Sequence, residues 1–573
     1  MRFAVIIIGI AIFAKNIAAQ DLEKIGKKDM LKVNGGLNYS SVFYHADGIE
    51  NRRQPFTYFV SGNISGNIAG ISLPYTFNYS NNLLSYTQPY NINCFSPSYK
   101  WAKAYIGHTS MNFSPYTLGG HLFSGAGIEL NPNKIKFSAM YGRLKKAVEY
   151  DFENNNDINM SYKRMGYGAS LGYDWGGHAI KAIYFSARDV INSLSFVPLN
   201  TQITPMENTV ISLGGKTTLS KNLTLEGEYA LSGITRNLLS SPELNAYPQN
   251  KMPLLFSVNA TSQFFAAYKG SLGYRLKLFS INFNYERVEP DYKTLGAYYF
   301  NNDFENYTIA PNLSLLQGKL NINVNTGLQK NNLKQDKLNT TKRWVGSASV
   351  NYAPNMKWNF NAGYSNFTSF TKQRPQEDPF FRNNLDTLNF YQIAQSANFT
   401  AMHQFGNNKS KQNIMLNANH MISSQAQGNF NTVPLMQSAQ EIPAVVRNLN
   451  LSYNNMFIKS KLNFSALFNL NEVIAQNTQI IYWGPGINIG TSLFSTKMKL
   501  SGGSTYNASI ANQQNSSALF SHRINLAYSP KISNNKIGKL NFSASVIYLQ
   551  KQAGPSVKGF NEFTGNFSAN YSF

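Results

Sequence analysis

Residues 562–573 read EFTGNFSANYSF, and the pattern of this stretch is typical of a β-strand with two different faces. Its apolar residues alternate with polar ones, and residues two apart on a β-strand point to the same face of the sheet. One face of the predicted strand is therefore apolar and aromatic, while the other face is polar. A soluble sheet can also show this alternation. The apolar row consists of Phe563, Phe567, Ala569, Tyr571 and Phe573.

The chain also begins with a predicted export signal, and this signal favours an outer-membrane barrel over a soluble sheet. Arg2 provides a positive charge, residues 4–13 form an apolar stretch of signal-peptide length, and residues 17–19 (Ile-Ala-Ala) are a plausible cleavage site. The stretch is too short to span a bilayer comfortably. We therefore expect residues 1–19 to be a signal peptide. We expect the aromatic terminus to close an outer-membrane β-barrel and to engage the barrel-assembly machinery.

The composition fits such a barrel. Of the 573 residues, 43% are hydrophobic and 14% are charged, whereas about 25% are charged in ordinary globular domains. The polarity of the chain comes mostly from Asn, Ser, Thr and Gln. Such uncharged polar residues suit strands with one face in lipid and the other in a water-filled lumen. After residue 20, no apolar run approaches the roughly 18 residues that a membrane helix needs. The single cysteine, Cys94, excludes an intramolecular disulfide framework.

The net charge of +23 permits more than one interpretation. Nucleic acid is a common partner of basic proteins, but the lysines are dispersed without a nucleic-acid-binding module, so we expect no nucleic-acid partner. Lysines at polar alternate positions would instead face the lumen, or would meet anionic lipid and lipopolysaccharide at the membrane surface. A solvated basic face and a pathway biased towards anions both fit the pattern. The candidate lumen lysines are Lys459, Lys461, Lys497 and Lys499.

Alternating segments recur along the chain, and short turns alternate with longer polar connections. Outer-membrane barrels show the same rhythm, with short periplasmic turns and long outer loops. Counting back from Phe573 predicts an all-β, antiparallel transmembrane barrel over residues 99–573, with about 22 strands in a range of roughly 20 to 26. Residues 20–98 contain shorter Gly- and Ser-rich candidate strands. These strands could extend the wall, but we expect them inside or below the barrel, because wide barrels generally need a filled lumen.

Catalysis is the least favoured interpretation of the sequence. His108, Ser110 and Asn112 would share one face of a strand, and they faintly resemble the His-x-Ser element of outer-membrane phospholipases. Those enzymes follow the serine directly with Asn-Gly, whereas Met111 follows Ser110 here. In a chain rich in Asn and Ser, such a triplet arises easily. The histidines also lack metal-ligand spacing, so we expect no enzymatic activity, metal or cofactor.

Five short segments of the chain carry a resemblance to a known protein family. They are GISLPYTFNYS at residues 70–80, SPSYKW at 96–101, YGRL at 141–144, TPMEN at 204–208 and PDYKTLGAYYF at 290–300. Together they resemble an uncharacterised family of large outer-membrane β-barrel proteins from Bacteroidota bacteria. The resemblance spans most of the chain and implies the fold and the location, without implying catalytic residues.

Several functions remain open at this point. The favoured one is a transport or channel barrel with a polar, basic lumen that residues 20–98 partly occlude. The alternative is a structural or assembly barrel that docks envelope lipoproteins or other partners. An outer-membrane lipid hydrolase is a remote third.

Overall fold

The computed structural model of the chain describes residues 31–573 with several gaps. The predicted signal peptide, residues 1–19, and residues 20–30 lie outside the described part. The internal gaps are residues 69, 82–91, 153–159, 199–200, 202, 242–250, 253–254, 299, 336–341, 367–368, 373–389, 427–443, 476–477, 495–496, 513, 531–537 and 555–557.

The described residues form strand segments joined by turns and loops, with two short 3-10 turns at Ile191–Ser193 and Leu316–Gly318. Among these residues, no helix is long and apolar enough to cross a membrane. The strand segments are β1 (Leu31–Asp47), β2 (Phe56–Ile68), β3 (Ile71–Ser80), β4 (Ile92–Phe95), β5 (Ser98–Tyr99), β6 (Ala102–Asn112), β7 (Gly119–Leu130), β8 (Ile135–Lys145), β9 (Arg164–Asp174), β10 (Ala179–Asp189), β11 (Glu207–Ser220), β12 (Leu223–Thr235), β13 (Ser262–Arg275), β14 (Phe279–Val288), β15 (Phe304–Leu315), β16 (Leu320–Asn331), β17 (Lys342–Asn355), β18 (Trp358–Ser365), β19 (Ser369–Lys372), β20 (Phe390–Gly406), β21 (Ser410–Ala426), β22 (Ala444–Phe457), β23 (Leu462–Ala475), β24 (Thr478–Leu493), β25 (Met498–Ala511), β26 (Gln514–Tyr528), β27 (Lys539–Lys551) and β28 (Phe560–Ser572).

These segments make one antiparallel sheet that closes on itself. Neighbours along the chain pair with each other, and β28 pairs with β1 from Ser572 opposite Gly36 to Asn561 opposite Asp47. Two wall strands are split, because β4 and β5 both pair with β6, and β18 and β19 both pair with β20. The wall is therefore a closed barrel of 26 strands. Closure leaves no unpaired strand edge to be buried in lipid.

The outer and inner faces of the wall carry different residues. Between β18 and β20, the register places Trp358 opposite His403 and Tyr364 opposite Ala397, so this largely apolar row runs along the outside. Trp344 lies on the outer face of β17 and is 66% exposed. An outward apolar belt on a closed antiparallel sheet defines a transmembrane barrel of the outer-membrane type, as predicted.

The described strands between residues 31 and 99 belong to the wall, so the expectation of an internal or periplasmic segment is wrong for these strands. β1 pairs with β2, β2 with β3, and β3 with β4 and β5. The wall strands from β6 onwards number 22, as predicted, and the four before them account for the difference. Glycines obscured these four in the sequence. A Cβ atom at Gly35 would lie 2.5 Å from the carbonyl oxygen of Asn63, so close strand pairing there requires glycine.

The connections differ between the two ends of the barrel. From β2 to β25, the turns at one end contain two to four residues, and we call this the short-turn end. Most longer connections lie at the opposite end, which we call the long-loop end. The alternation weakens near the C-terminus, where residues 476–477 and 512–513 are short connections at the long-loop end and residues 529–538 are a long one at the short-turn end.

A hydrophobic core lies inside the barrel, against β6–β14. Phe185, Val210 and Ile234 point inward from successive strands and are 0% exposed. Beyond β15, Val345 is the only hydrophobic residue of the described part that is buried. The core is therefore confined to one side of the lumen.

Candidate functional site

Two connections at the long-loop end fold into the barrel and build this core. We call residues 113–118 the short inner loop and residues 289–303 the long inner loop. Tyr292 Oη donates a hydrogen bond to the carbonyl oxygen of Tyr116 at 2.8 Å, and Thr294 Oγ1 donates to that of Thr117 at 2.6 Å. All four residues are at most 2% exposed. In the described part of the chain, the lumen is thus occluded by loops of the wall and not by the N-terminal residues that we expected there.

Aromatic rings and a glycine pack the two inner loops together. The ring centroid of Tyr292 lies 5.0 Å from that of Phe300 and 6.4 Å from that of Tyr116. Gly296 is so close to the short inner loop that a Cβ atom would stand 2.6 Å from the carbonyl oxygen of Thr117. Because this carbonyl oxygen belongs to the backbone and cannot rotate away, a larger residue at position 296 would push the two loops apart.

Asn208 of β11 attaches the long inner loop to the wall. Its side chain is 0% exposed, and its Oδ1 accepts a hydrogen bond from the Leu295 amide at 3.0 Å. Its Nδ2 donates to Ser232 Oγ at 2.8 Å and to the carbonyl oxygen of Gly233 at 2.9 Å. Ser232 Oγ in turn donates to the carbonyl oxygen of Lys293 at 2.7 Å. Because both ends of this buried amide are satisfied, the loop position is well determined.

Four charged side chains hold the short inner loop from β10, β12, β13 and β14. We call Lys181, Glu228, Lys269 and Glu286 the charged clamp. Lys181 Nζ lies 2.5 Å from the carbonyl oxygen of Phe113, and Tyr116 Oη donates to Glu286 Oε1 at 2.6 Å. Glu228 accepts a hydrogen bond from Ser114 and pairs with Lys269 Nζ at 3.3 Å. The clamp contains two cations and two anions, so it adds no net charge to the lumen.

The two loop tyrosines remain hydrogen-bond donors over the physiological pH range. Burial, followed by the adjacent Glu286 carboxylate, raises the pKa of the Tyr116 phenol. Burial also raises the pKa of the Tyr292 phenol well above its usual range. Both phenols therefore stay protonated, and the bonds to Glu286 and to the Tyr116 carbonyl persist.

The opposite side of the lumen is lined by asparagines. The inner rows align Asn321, Asn351 and Asn361 across β16–β18, and Asn419, Asn448 and Asn471 across β21–β23. Neighbouring amides bond to one another, as where Asn454 Nδ2 lies 2.9 Å from Asn413 Oδ1. We call β16–β26 the asparagine-lined side and β6–β14 the loop-filled side. Away from the rims, Arg523 is the one charged residue that the described side chains place on the inner row of the asparagine-lined side.

The four candidate lumen lysines lie at the short-turn end. Lys459 and Lys461 are in the turn between β22 and β23, and Lys497 is in the turn between β24 and β25. Lys499 is the second residue of β25 and shares the inner row with Ser492. Lys459, Lys461 and Lys497 therefore lie in turns at the rim and not on the strands of the wall. Lys499 faces inward only at the rim.

The predicted closing residues lie on the strand that pairs with β1. Phe563, Phe567 and Tyr571 stand opposite His45, Ser41 and Leu37 on the outer face. Phe563 and Phe567 are 42% and 37% exposed, as expected for side chains on the outer face of a membrane barrel. Phe573 follows β28, and its amide and carbonyl groups exchange hydrogen bonds with Gly35 at 3.0 and 2.9 Å.

The His108 triplet lies on β6, where His108 and Ser110 point to the outer face. Ser124 stands opposite His108, and Arg143 stands opposite Ser124, so the nearest charge in this row is a cation and not a carboxylate. Among the described residues, no three His, Cys, Asp or Glu side chains come together as a metal site would require.

The inner loops and the charged clamp are the functional features that the sequence analysis missed. A signal for them was present in β10, which reads AIKAIYFSARD. Ile183, Phe185 and Ala187 face inward there, while Ile180 and Tyr184 face outward, so both faces are partly apolar. Strands buried on both faces lose the simple alternation. Such a loss within a barrel predicts that something packs against the inner face.

Several known structures of membrane proteins show a limited similarity to this chain. The translocation pore of the P pilus usher PapC is 10% identical, with a TM-score of 0.37 over 95% of this chain and 99% of that chain. The FrpB iron transporter of Neisseria meningitidis is 9% identical, with a TM-score of 0.33 over 96% and 82%. OccK11 of Pseudomonas aeruginosa is 9% identical, with a TM-score of 0.29 over 70% and 96%. No protein-family model and no curated protein sequence matches the chain. At these identities and TM-scores, no functional assignment carries over.

Proposed function

We propose that the chain is an outer-membrane channel that passes small polar solutes along its asparagine-lined side, with the inner loops restricting the other side. The observation that carries this proposal is the division of the lumen into a side packed with protein and a side lined by half-buried amides. A membrane barrel of this size has an interior wide enough to need partial filling. The loops supply that filling on one side only.

The chemistry of the asparagine-lined side favours uncharged polar solutes. Each asparagine offers two donors and an acceptor, and these groups can replace the hydration of a solute without fixing a charge in its path. The clamp is balanced, and the four candidate lysines lie at the rim. We therefore infer a pathway with weak ion selectivity in place of a strongly basic one.

Conductance in planar bilayers tests the proposal directly. The intact protein is expected to form a small, weakly selective channel, and vesicles containing it are expected to swell in uncharged sugars. Replacing residues 290–300 by a flexible Gly-Ser linker of equal length is expected to raise the single-channel conductance several-fold, because the filled side opens.

The control variant for this experiment is Tyr292→Phe, which keeps the ring in the core and removes only the hydrogen bond to the Tyr116 carbonyl. Its conductance is expected to match that of the intact protein. If neither the intact protein nor the loop replacement conducts, the channel proposal is wrong and the docking or assembly role becomes the better account.

A further inference from the structure

The short-turn end carries a ring of lysines. Its described turns between β5 and β25 contain ten lysines and no aspartate or glutamate. Nine of these lysines are exposed, and Lys497 is half-buried. We call this set the lysine ring. It consists of Lys100, Lys134, Lys221, Lys277, Lys319, Lys357, Lys409, Lys459, Lys461 and Lys497.

The acidic residues are distributed differently. At the short-turn end, the described carboxylates nearest the turns are Glu129 and Asp174, both within strands, and Asp174 pairs with Lys136 Nζ at 3.3 Å. At the long-loop end, several arginines have acidic partners, as where Arg164 bonds to Asp189 at 2.7 Å and Arg447 to Glu472 at 2.6 Å. Ten of the 51 lysines and arginines of the chain therefore lie in the turns of one rim, where the described turns contain no acidic residue.

Exposed apolar residues accompany the lysine ring in six turns. Met356 is 99% exposed beside Lys357, and Phe494 is 70% exposed in the turn of Lys497. The other four turns show the same pairing. Their apolar members are Trp101, Leu276 with Leu278, Leu316 and Ile458, which are between 38% and 58% exposed.

The length of the turns fixes their depth in the membrane. A turn of two to four residues cannot rise far beyond the ends of its strands, since each residue spans at most about 3.5 Å. The outer apolar belt begins directly beside the turns, as at Trp358, which follows Lys357. The apolar turn residues thus stand where acyl chains meet head groups, and the lysines can extend from there to the phosphates.

We propose that the lysine ring and its apolar neighbours form a binding surface for anionic glycerophospholipids in the membrane leaflet at the short-turn end. The alternation of an apolar residue with a cation at head-group depth fits a lipid that has both an acyl chain and a negative head group. A soluble acidic protein would match the lysines but would leave the apolar residues of the rim unexplained. Lysines near an anionic surface each contribute to binding, and the contribution falls with salt.

The test uses the full-length barrel purified in non-ionic detergent, with phosphatidylglycerol or phosphatidylethanolamine added. Phosphatidylglycerol is expected to raise the midpoint of thermal unfolding and to remain bound in native mass spectra, while phosphatidylethanolamine has a smaller effect. Replacing Lys277, Lys319, Lys357, Lys459, Lys461 and Lys497 by Gln is expected to weaken phosphatidylglycerol binding about tenfold or more. Replacing the same six by Arg is expected to preserve it.

The matched control removes six lysines from the long-loop end. Lys146, Lys163, Lys251, Lys330, Lys342 and Lys558 are replaced by Gln, so the total charge changes equally. This control is expected to keep phosphatidylglycerol binding. If the six-lysine variant of the ring does not fold, its two halves (Lys277, Lys319 and Lys357, or Lys459, Lys461 and Lys497) are tested separately, and each is expected to bind less lipid.

Three results would overturn the proposal. One is equal stabilisation of the intact barrel by the two lipids. A second is unchanged phosphatidylglycerol binding after neutralisation of the ring, or an equal loss in the long-loop control. The third is binding of a soluble polyglutamate peptide without any response to phosphatidylglycerol, which would assign the surface to an acidic protein partner.

Discussion

The loop-filled side and the asparagine-lined side of the lumen share the same antiparallel pairing and the same kind of outer face, yet their inner rows differ. On β10 the inner row includes Ile183 and Phe185, which pack against the inner loops. On β21 the corresponding row includes Asn417 and Asn419, which face other amides. The inner row of a barrel strand thus reflects what the strand contacts, whether folded loop or water.

The two sides also differ in how much each inward residue stabilises the protein. A buried side chain on the loop-filled side is surrounded by protein, so its removal leaves a cavity or an unpaired polar group. A half-buried amide on the asparagine-lined side can exchange its partner for water. Substitutions of the same kind are therefore expected to have unequal effects on the two sides.

The largest effect is expected from Tyr292→Ala in the long inner loop. Tyr292 is 0% exposed and contacts the rings of Tyr116 and Phe300, so its truncation is expected to lower the free energy of unfolding by about 3 to 5 kcal/mol. Denaturant unfolding of the detergent-solubilised protein measures this loss. The control is Tyr364→Ala on the outer face, where the side chain is 46% exposed and little protein packing is lost. Equal losses for the two variants would remove the distinction between packed and lipid-facing tyrosines.

A somewhat smaller effect is expected from Asn208→Ala. This change leaves the Leu295 amide and the Gly233 carbonyl group without the partners that they have in the buried core, at a cost of about 1 to 3 kcal/mol for each unsatisfied group. Asn454→Ala is the matched change on the asparagine-lined side, where one bond to Asn413 is lost and water can replace it. We expect it to cost less than about 1 kcal/mol. Unfolding midpoints of the two variants, measured side by side, decide the comparison.

Much of the wall could be predicted from the sequence, because alternation is a local property of each strand. The rows of β18 and β28 and the 22 strands from β6 onwards follow from it. The first four wall strands were misplaced because glycines that permit close pairing, such as Gly35, interrupt the apolar row. Alternation alone does not distinguish a wall strand from an internal one.

The inner loops could not be located from the sequence, because their positions depend on contacts between distant residues. The hydrogen bond from the Leu295 amide to Asn208 joins residues 87 apart, and the bond from Tyr116 to Glu286 joins residues 170 apart. Nothing in the local pattern of residues 113–118 indicates that they turn inward. For a related reason, alternation predicts strand positions for Lys459, Lys461 and Lys497, which lie in turns. Strand ends are set by turn geometry and not by alternation.

Glu228→Gln is expected to have a moderate effect, confined to the short inner loop. The change removes the anion that pairs with Lys269 at 3.3 Å, so the clamp gains a net positive charge. We expect larger current fluctuations and a shift of the reversal potential towards anions, with a stability loss of about 1 to 3 kcal/mol. Glu226→Gln removes an equal charge from an exposed, inward position on the same strand. This control is expected to shift selectivity slightly without increasing the fluctuations, and similar fluctuations in both variants would show that the clamp does not hold the loop.

The smallest effect on stability is expected from Arg523→Gln on the asparagine-lined side. Arg523 is exposed and stands on the inner row opposite Gly503 and Ile547, neither of which can pair with its charge. An exposed charge without a buried partner contributes little to folding, so the unfolding midpoint is expected to stay within experimental error. If solutes move along this side, removal of the Arg523 charge nevertheless alters the field that ions experience. We expect the reversal potential in a salt gradient to shift towards cations, and we expect the rim variant Lys497→Gln to shift it less. A channel whose selectivity responds to Lys497 but not to Arg523 would place the pathway elsewhere in the barrel.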